Sequence, residues 1–298
     1  MAEVVVKVPA KVNLALLVGE TDPEGYHRLG TIFQAVSLYD QVRARAAGPG
    51  EFRLAFRGEG ASFLPTDGTN LVIRAARLLA ETHHVAGAGV EFRIHKHIPV
   101  AGGMAGGSAD AAAALVACNE LWGLGLRTDD LHPLAARLGS DVPFLLHGGT
   151  AVGTGRGEQL RPLQTTGTYH WVLALSHSGL STPAVFREFD RTSPARPTRI
   201  APELLAALEQ GNVPEVAALL TNDLAAPALA LQPALADVIR IGTEAGALGS
   251  VVSGSGPTVA FLCDTEALSL QVGEALQVSS RVRAVRRAVG PVPGARIE

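Results

Sequence analysis

A glycine-rich run of ten residues decides the fold, and it reads Pro99-Val100-Ala101-Gly102-Gly103-Met104-Ala105-Gly106-Gly107-Ser108. Alternating apolar residues before the run predict a strand over 90–94, and the alanine-rich stretch after Ser108 predicts a helix. Backbone amides at the start of a helix, together with the positive end of its dipole, favour an anion at such a junction. The run therefore predicts a phosphate-binding loop. A flexible glycine linker before a helix is the plainer alternative.

The spacing inside the run excludes two common nucleotide-binding loops. A Walker A loop requires a lysine directly before Ser108, where Gly107 stands, and the G-x-G-x-x-G spacing of dinucleotide-binding loops does not occur. Glycines still suit a phosphate site, because they let the ligand approach the backbone closely and adopt positive φ angles at little cost. The hydroxyl of Ser108 adds a ligand for a phosphate or for a metal ion.

The first part of the chain is rich in predicted strands. Apolar residues alternate on both sides of Pro9, which predicts either a pair of strands or one broken strand. Further short strands are predicted over 30–38, 42–46 and 52–57. Helical spacing of apolar residues then predicts a helix over 70–82.

The chain as a whole predicts an α+β fold in two domains. Helices and strands alternate without a regular βαβ repeat, which disfavours a doubly wound sheet. After Gly157 the pattern changes to a predicted strand, a proline-rich loop and a series of predicted helices. We therefore expect domains over 1–160 and 161–298. The end of the chain, 290–298, is rich in proline and glycine and is expected to be loose.

Composition excludes several classes of protein. Apolar residues make up 47% of the 298 residues and charged residues 18%, which predicts a compact chain. A net charge of −3 gives no electrostatic reason to expect nucleic acid or an anionic membrane as a partner. The only two cysteines, Cys118 and Cys263, lie in apolar surroundings and are expected to be buried thiols. No signal peptide or long apolar span is evident, so we expect a cytoplasmic protein.

Three segments together resemble the three motifs of the GHMP kinases. They are 9–14 (Pro-Ala-Lys-Val-Asn-Leu), the run 99–108, and 252–258 (Val-Ser-Gly-Ser-Gly-Pro-Thr). The resemblance implies a ribosomal-protein-S5-like nucleotide domain followed by a ferredoxin-like domain, with the run 99–108 cradling ATP. Mg²⁺ is expected with the ATP, held mainly by phosphates and by Ser108. The third motif is expected to support the phosphate loop and the acceptor.

Within this superfamily the chain most resembles the kinases that act on a cytidine diphosphate alcohol. The likeness lies in the segments Gly25-Tyr-His27, Leu138-Gly-Ser-Asp-Val-Pro-Phe144 and Thr182-Pro-Ala-Val-Phe186. It implies that ATP phosphorylates the 2-hydroxyl of a cytidylated methylerythritol in the non-mevalonate route to isoprenoid precursors. The chain departs from the commoner pattern at Ala101, Met104 and Ala105, where glycine, leucine and glycine are usual, and at Asp110, where asparagine is frequent.

The resemblance assigns catalysis to Lys11 and Asp141. Asp141 is expected to take the proton of the hydroxyl, while Lys11 orients that carboxylate and offsets charge on the moving phosphoryl group. Asn13 is expected to hold the acceptor. Taken without the resemblance, Asp141 is equally well read as the N-cap of a short helix, and Lys11 as an ordinary solvated strand lysine.

Further residues are assigned to the two ligands. Tyr26 and Phe186 are predicted to stack on the pyrimidine, His27 to read its polar edge, and Thr182 to bind the same substrate. Phe186 also fits an ordinary helix core. On the ATP side, the resemblance places two residues near the adenosine, Asn70 and Lys96.

Two alternatives to this function remain open, and the histidines suggest no metal centre. The chain is either this kinase, or another GHMP kinase acting on mevalonate, homoserine or a sugar, or a binding protein that keeps the ATP cradle without chemistry. Four histidines (His83, His84, His95 and His97) lie in two clusters without a carboxylate or cysteine to complete a metal set. A monomer or weak homodimer is expected.

Overall fold

A computed structural model describes residues 3–192 and 197–298. Its strands are β1 (Glu3–Thr21), β2 (His27–Ala46), β3 (Phe52–Gly58), β4 (Val90–Lys96), β5 (Thr150–Thr154), β6 (Gln159–Leu163), β7 (Tyr169–Leu175), β8 (Thr221–Asn222), β9 (Gly249–Val252), β10 (Val259–Cys263), β11 (Ala284–Gly290) and β12 (Arg296–Ile297). Its α-helices are α1 (Leu71–Thr82), α2 (Gly106–Leu121), α3 (Thr128–Leu138), α4 (Val142–His147), α5 (Thr182–Thr192), α6 (Pro202–Gln210), α7 (Val213–Ala218), α8 (Ala225–Leu231), α9 (Ala234–Glu244) and α10 (Glu266–Gln277).

The first sheet is built around one long antiparallel hairpin of β1 and β2. The strand order is β12-β1-β2-β4-β3, with β5 on the far part of β2, β6 on β5, and β8 parallel to β1. The strand β1 continues through Pro9, and the register shifts between Pro9 and Ala10. The proline therefore marks an irregularity inside one strand, and the predicted strands over 30–38 and 42–46 are likewise one strand, β2.

Helix α2 packs against this hairpin through small side chains. Six of its alanines are fully buried: Ala109, Ala111, Ala112, Ala113, Ala114 and Ala117. Because alanine adds only a methyl group beyond the backbone, the helix lies close to β1 and β2. This close packing fixes the start of α2, and the glycine-rich run leads directly into it.

The second sheet is antiparallel, in the order β11-β7-β10-β9. Helices α5, α9 and α10 cover it through a separate apolar cluster that includes Val185, Phe189, Val238 and Val272. The chain passes between the sheets after Leu163 and enters β7 at Tyr169, so the predicted domain boundary at 160 falls inside β6.

The end of the chain returns to the first sheet. Strand β12 pairs with β1 through Ile297 and Arg296, and the backbone N–H of Glu298 donates to the carbonyl of Val5 at 2.9 Å. The expectation of a loose end over 290–298 is therefore wrong. Within the described ranges, no helix has the length and apolar character needed to cross a lipid bilayer.

Candidate active site

One large cleft, with a cavity volume of about 1260 Å³, gathers nearly all of the predicted site residues. The walls include Lys11 and Asn13 of β1, the turn at Tyr26 and His27, the glycine-rich run, Asp141, and Phe186 of α5. Two residues of the run do not line the cleft. Met104 is fully buried in the core, and Ser108, in the first turn of α2, is only partly exposed.

The three sequence motifs meet at the glycine-rich run. The backbone N–H of Lys11 donates to Met104 O at 3.4 Å, and the hydroxyl of Ser253 donates to Gly103 O at 3.0 Å. A Cβ added at Gly103, where φ is +76°, would lie 2.0 Å from the carbonyl oxygen of Ser253. Only glycine fits there, because both the backbone conformation and the available space exclude a side chain.

Two alanines of the run adopt a conformation that glycine adopts more easily. Ala101 and Ala105 have φ values of +52° and +59°. Ala105 is the N-cap of α2 and makes no side-chain cap hydrogen bond. The first backbone N–H groups of α2 therefore have no side-chain cap and are left for a ligand. The positive end of the helix dipole favours an anion as that ligand.

The catalytic candidates face each other in the middle of the cleft. Lys11 Nζ lies 3.9 Å from Asp141 Oδ2 and donates to Asn13 Oδ1. The side chain of Lys11 is 5% exposed and that of Asp141 is 31% exposed, so the lysine approaches from the core and the carboxylate borders the cavity. Burial lowers the pKa of Lys11, and the nearby carboxylate of Asp141 partly offsets that effect.

A chain of hydrogen bonds fixes the orientation of Asn13. Its amide Nδ2 donates to Thr31 Oγ1 at 2.8 Å, and that hydroxyl donates to the carbonyl of Ala15 at 2.7 Å. Since the amide nitrogen is engaged, Oδ1 is left to accept from Lys11. Thr31 therefore has a positioning role that no sequence motif indicated.

Asp141 occupies the N-cap position of α4, but its side chain makes no cap hydrogen bond. The alternative sequence interpretation, a helix N-cap, is therefore correct about the position of Asp141. It does not explain the carboxylate, which caps no backbone N–H group. The neighbouring Lys11 is the cation that faces it. A carboxylate that borders the cleft beside a buried lysine is suited to accept a proton from a bound alcohol.

The acceptor candidates also line the cleft. The Tyr26 ring is 58% exposed, and the Arg156 guanidinium lies over it at 4.1 Å from the ring centroid. The rings of His27 and Phe186 stack at 5.4 Å. Phe186 is only partly buried against the second apolar cluster and also borders the cleft, so both interpretations of it hold in part.

The polar atoms of His27 and Thr182 already have protein partners. His27 Nδ1 lies 2.7 Å from Gly19 O, and Nε2 lies 2.9 Å from Asp190 Oδ1. The hydroxyl of Thr182 lies 2.8 Å from that of Ser255, in the third motif. These contacts join β1, α5 and the third motif around the acceptor end.

The two residues predicted near the adenosine border the cleft, but their polar groups are engaged within the protein. Asn70 caps α1, accepting from Val72 N and donating to Pro65 O at 2.7 Å. Lys96 is buried between Asp40 and Asp110. Direct contact of either side chain with ATP stays a prediction. Asp40, Arg156 and Asp190 carry no motif signal and were missed from sequence.

The cysteines and histidines outside the cleft give no metal centre. Cys118 and Cys263 are both buried free thiols, as expected, and burial raises the pKa of each. Among residues 3–192 and 197–298, no three or more His, Cys, Asp or Glu side chains form a cluster able to hold a metal ion.

Comparison with known proteins identifies the family. Residues 70–149 match the GHMP kinases N terminal domain, and residues 204–279 match the GHMP kinases C terminal domain. Similar curated proteins include the 4-diphosphocytidyl-2-C-methyl-D-erythritol kinases of Mycolicibacterium smegmatis, 55% identical over 99% of this chain and 92% of that protein, and of Nocardia farcinica, 54% identical over 99% and 96%.

Solved structures of other proteins share the fold of this chain. A crystal structure of 4-(cytidine 5'-diphospho)-2C-methyl-D-erythritol kinase superposes with a TM-score of 0.76 at 32% identity, covering 97% of this chain and 98% of that one. A homoserine kinase from Cytophaga hutchinsonii superposes with a TM-score of 0.79 at 20% identity, covering 100% and 98%. The second likeness concerns the fold alone.

Proposed function

The chain belongs to the 4-diphosphocytidyl-2-C-methyl-D-erythritol kinase family of the GHMP kinases, and from that premise we propose that it transfers the terminal phosphoryl group of ATP to the 2-hydroxyl of that substrate. The product is the 2-phosphate, and the reaction is a step of the non-mevalonate route to isoprenoid precursors. The observation that carries the proposal is the pair Lys11 and Asp141, 3.9 Å apart, which lines the same cleft as the glycine-rich run and the aromatic residues Tyr26 and Phe186.

The reacting groups have distinct roles. The 2-hydroxyl oxygen attacks the terminal phosphorus of ATP, the bond from that phosphorus to the ADP oxygen breaks, and the hydroxyl proton passes to Asp141. Lys11 remains a cation beside the transferring group and stabilises its charge, with its direction set by Asn13. Because phosphoryl transfer needs mainly positioning and charge stabilisation, no covalent enzyme intermediate is required.

Mg²⁺ is proposed as the metal that accompanies ATP. Among the described residues, no three acidic, histidine or cysteine side chains form a metal-binding cluster. The proposed ion is therefore one that the nucleotide phosphates hold for the most part. The hydroxyl of Ser108 is the proposed protein ligand. When bound, the ion neutralises charge on the phosphates. A Ser108→Ala variant whose KM for Mg²⁺ matches that of the unmodified protein would remove Ser108 from this role.

The acceptor end is proposed to bind the cytidine. The exposed face of Tyr26 and the ring of Phe186 offer apolar surfaces for stacking, and His27 lies between their two elements. Thr182, bonded to Ser255, borders the same space.

Location and assembly follow the same proposal. We place the protein in the cytoplasm, as a monomer or weak homodimer that binds neither nucleic acid nor membrane. The net charge of −3 supports the absence of a polyanionic partner.

The test is transfer of labelled phosphate from ATP to the cytidylated methylerythritol, with mevalonate and homoserine as competing acceptors. Asp141→Asn keeps the size of the side chain and removes its basicity, so kcat is expected to fall about 10²- to 10⁴-fold. Asp129→Asn, at an exposed carboxylate in the first turn of α3, is the matched control. Turnover of another acceptor alone, or an Asp141→Asn protein with unchanged kcat, would overturn the proposal.

A further inference from the structure

Three charged side chains are buried together beneath the glycine-rich run. Lys96 Nζ donates to Asp40 Oδ2, to Asp110 Oδ2 at 2.7 Å, and to the carbonyl of Gly106 at 3.2 Å. The side chains are 2%, 0% and 3% exposed for Lys96, Asp40 and Asp110. We call this cluster the buried triad.

The buried triad joins three elements at the point where the phosphate loop becomes a helix. Asp40 lies on β2, Lys96 ends β4, and Asp110 lies about one turn into α2, which begins at Gly106. Asp40 Oδ1 also accepts the backbone N–H groups of His97 and Ile98, at 2.6 and 2.9 Å. The residues that lead from β4 into the glycine-rich run are thus anchored to the same carboxylate.

The hydrogen bonds of the two carboxylates differ. Both oxygens of Asp40 accept hydrogen bonds, whereas Asp110 Oδ1 is a buried oxygen with no hydrogen-bond partner among the described residues. An unpartnered oxygen on a buried carboxylate is costly, so Asp110 depends on Lys96, the donor to its other oxygen, for its place in the core.

The nucleotide phosphates are proposed to bind at the start of α2. Lys96 donates there to the carbonyl of Gly106, the first residue of that helix. We therefore expect a change in the buried triad to displace the backbone amides that face the phosphates.

We propose that Lys96 acts as a positioning residue rather than as a nucleotide ligand, and that it holds the start of α2 and the glycine-rich run in place through the buried triad. The inference rests on the proposed function, since it assumes that ATP phosphates bind at the run. It differs from the sequence-based expectation, in which Lys96 contacts the adenosine directly.

The first test separates positioning from direct contact by two substitutions of Asp110. Asp110→Asn keeps an acceptor for Lys96, so the affinity for a non-hydrolysable ATP analogue at pH 7, measured by titration calorimetry, is expected to stay within about twofold. Asp110→Leu leaves the lysine cation without that partner. Positioning predicts roughly tenfold weaker binding of the analogue, whereas a lysine that contacts the nucleotide directly binds it equally or more tightly.

The second test uses Lys96 itself and the acceptor as an internal reference. Lys96→Met is expected to raise the KM for ATP about tenfold or more while the KM for the acceptor changes less than twofold. Because this variant leaves two buried carboxylates unpaired, Lys96→Met/Asp110→Asn is the companion that retains only Asp40. Lys7→Met, a partly exposed lysine on β1 that borders no part of the cleft, is the matched control. An unchanged ATP affinity in folded Lys96→Met protein would overturn the positioning role.

Calorimetry with the ATP analogue needs no acceptor, so the result of the first test is independent of whether the cytidylated alcohol is the substrate.

Discussion

The part of the cleft proposed to bind the phosphates and the part proposed to bind the cytidine, here the phosphate end and the acceptor end, are built by different structural means. At the phosphate end, backbone groups of the glycine-rich run line the cleft. Side-chain hydrogen bonds hold this backbone in place, from Ser253 to the carbonyl of Gly103 and from Lys96 to the carbonyl of Gly106. At the acceptor end it consists of side chains on the surface, where Arg156 pairs with Asp22 and Glu24 and lies over Tyr26. Buried backbone tolerates little change, whereas an exposed side chain can be replaced with a smaller loss.

The largest expected effect comes from placing a side chain in the phosphate loop. In Gly103→Ala the new Cβ would meet the carbonyl of Ser253 at 2.0 Å, at a positive φ. We expect the KM for ATP to rise about 100-fold, which corresponds to about 2.8 kcal/mol of binding. Gly273→Ala, in α10 with neighbours no closer than 3.8 Å, is the control and should keep the KM for ATP. Steady-state kinetics with varied ATP measures this change. Equal KM values for ATP in Gly103→Ala and the unmodified protein would show that the loop accommodates a side chain at this position.

A smaller effect is expected at the aromatic end. Phe186→Ala should raise the KM for the cytidylated acceptor about tenfold, since stacking on a base contributes about 1–3 kcal/mol. The KM for ATP should stay unchanged, which separates the two ends of the cleft. Phe63→Ala, where the ring is 85% exposed, is the control. An unchanged acceptor KM in Phe186→Ala would assign this ring to the helix core alone.

The contact of the three motifs around the glycine-rich run was largely predictable from sequence, and the reason is local. The motifs 9–14, 99–108 and 252–258 are short contiguous segments whose glycines and strand residues report on backbone shape, and the structure brings them into contact. The residues that hold them could not be found this way. Lys96 and Asp40 are 56 positions apart, and although the resemblance placed Lys96 near the adenosine, nothing in the sequence indicated that the fold pairs it with Asp40 in the core.

The fold was predicted best where one pattern dominates. Alternating apolar residues revealed β1 and β4. Of the two alternatives left open at Pro9, the structure has the single irregular strand, because a register shift accommodates the proline. The pairing of Arg296 and Ile297 with β1 joins residues from opposite ends of the chain. Proline and glycine in the end segment gave no sign of that pairing, since it depends on the position of β1 and not on local propensity.

Arg156 provides a test of how much the surface ion pairs contribute. Its side chain is 37% exposed, so each pair with Asp22 and Glu24 is expected to contribute little. Arg156→Ala should raise the acceptor KM about threefold at low salt and less at high salt, because screening weakens exposed charges. Arg240→Ala, which breaks the exposed pair with Glu244, is the control. A salt-independent loss would indicate that the guanidinium contacts the acceptor itself.

The smallest expected effect returns to the phosphate end, at a position where backbone strain and not contact is at issue. Ala105 has a φ of +59°, a conformation that costs a residue with a Cβ about 1–2 kcal/mol relative to glycine. Ala105→Gly removes that cost but gains chain entropy in the unfolded state, so a net stabilisation of about 0.5 kcal/mol is expected. Ala236→Gly, at an exposed position inside α9, should instead destabilise by about 0.5–1 kcal/mol. Urea unfolding of the three proteins decides the sign, and two losses of equal size would show that Ala105 is relaxed in the run.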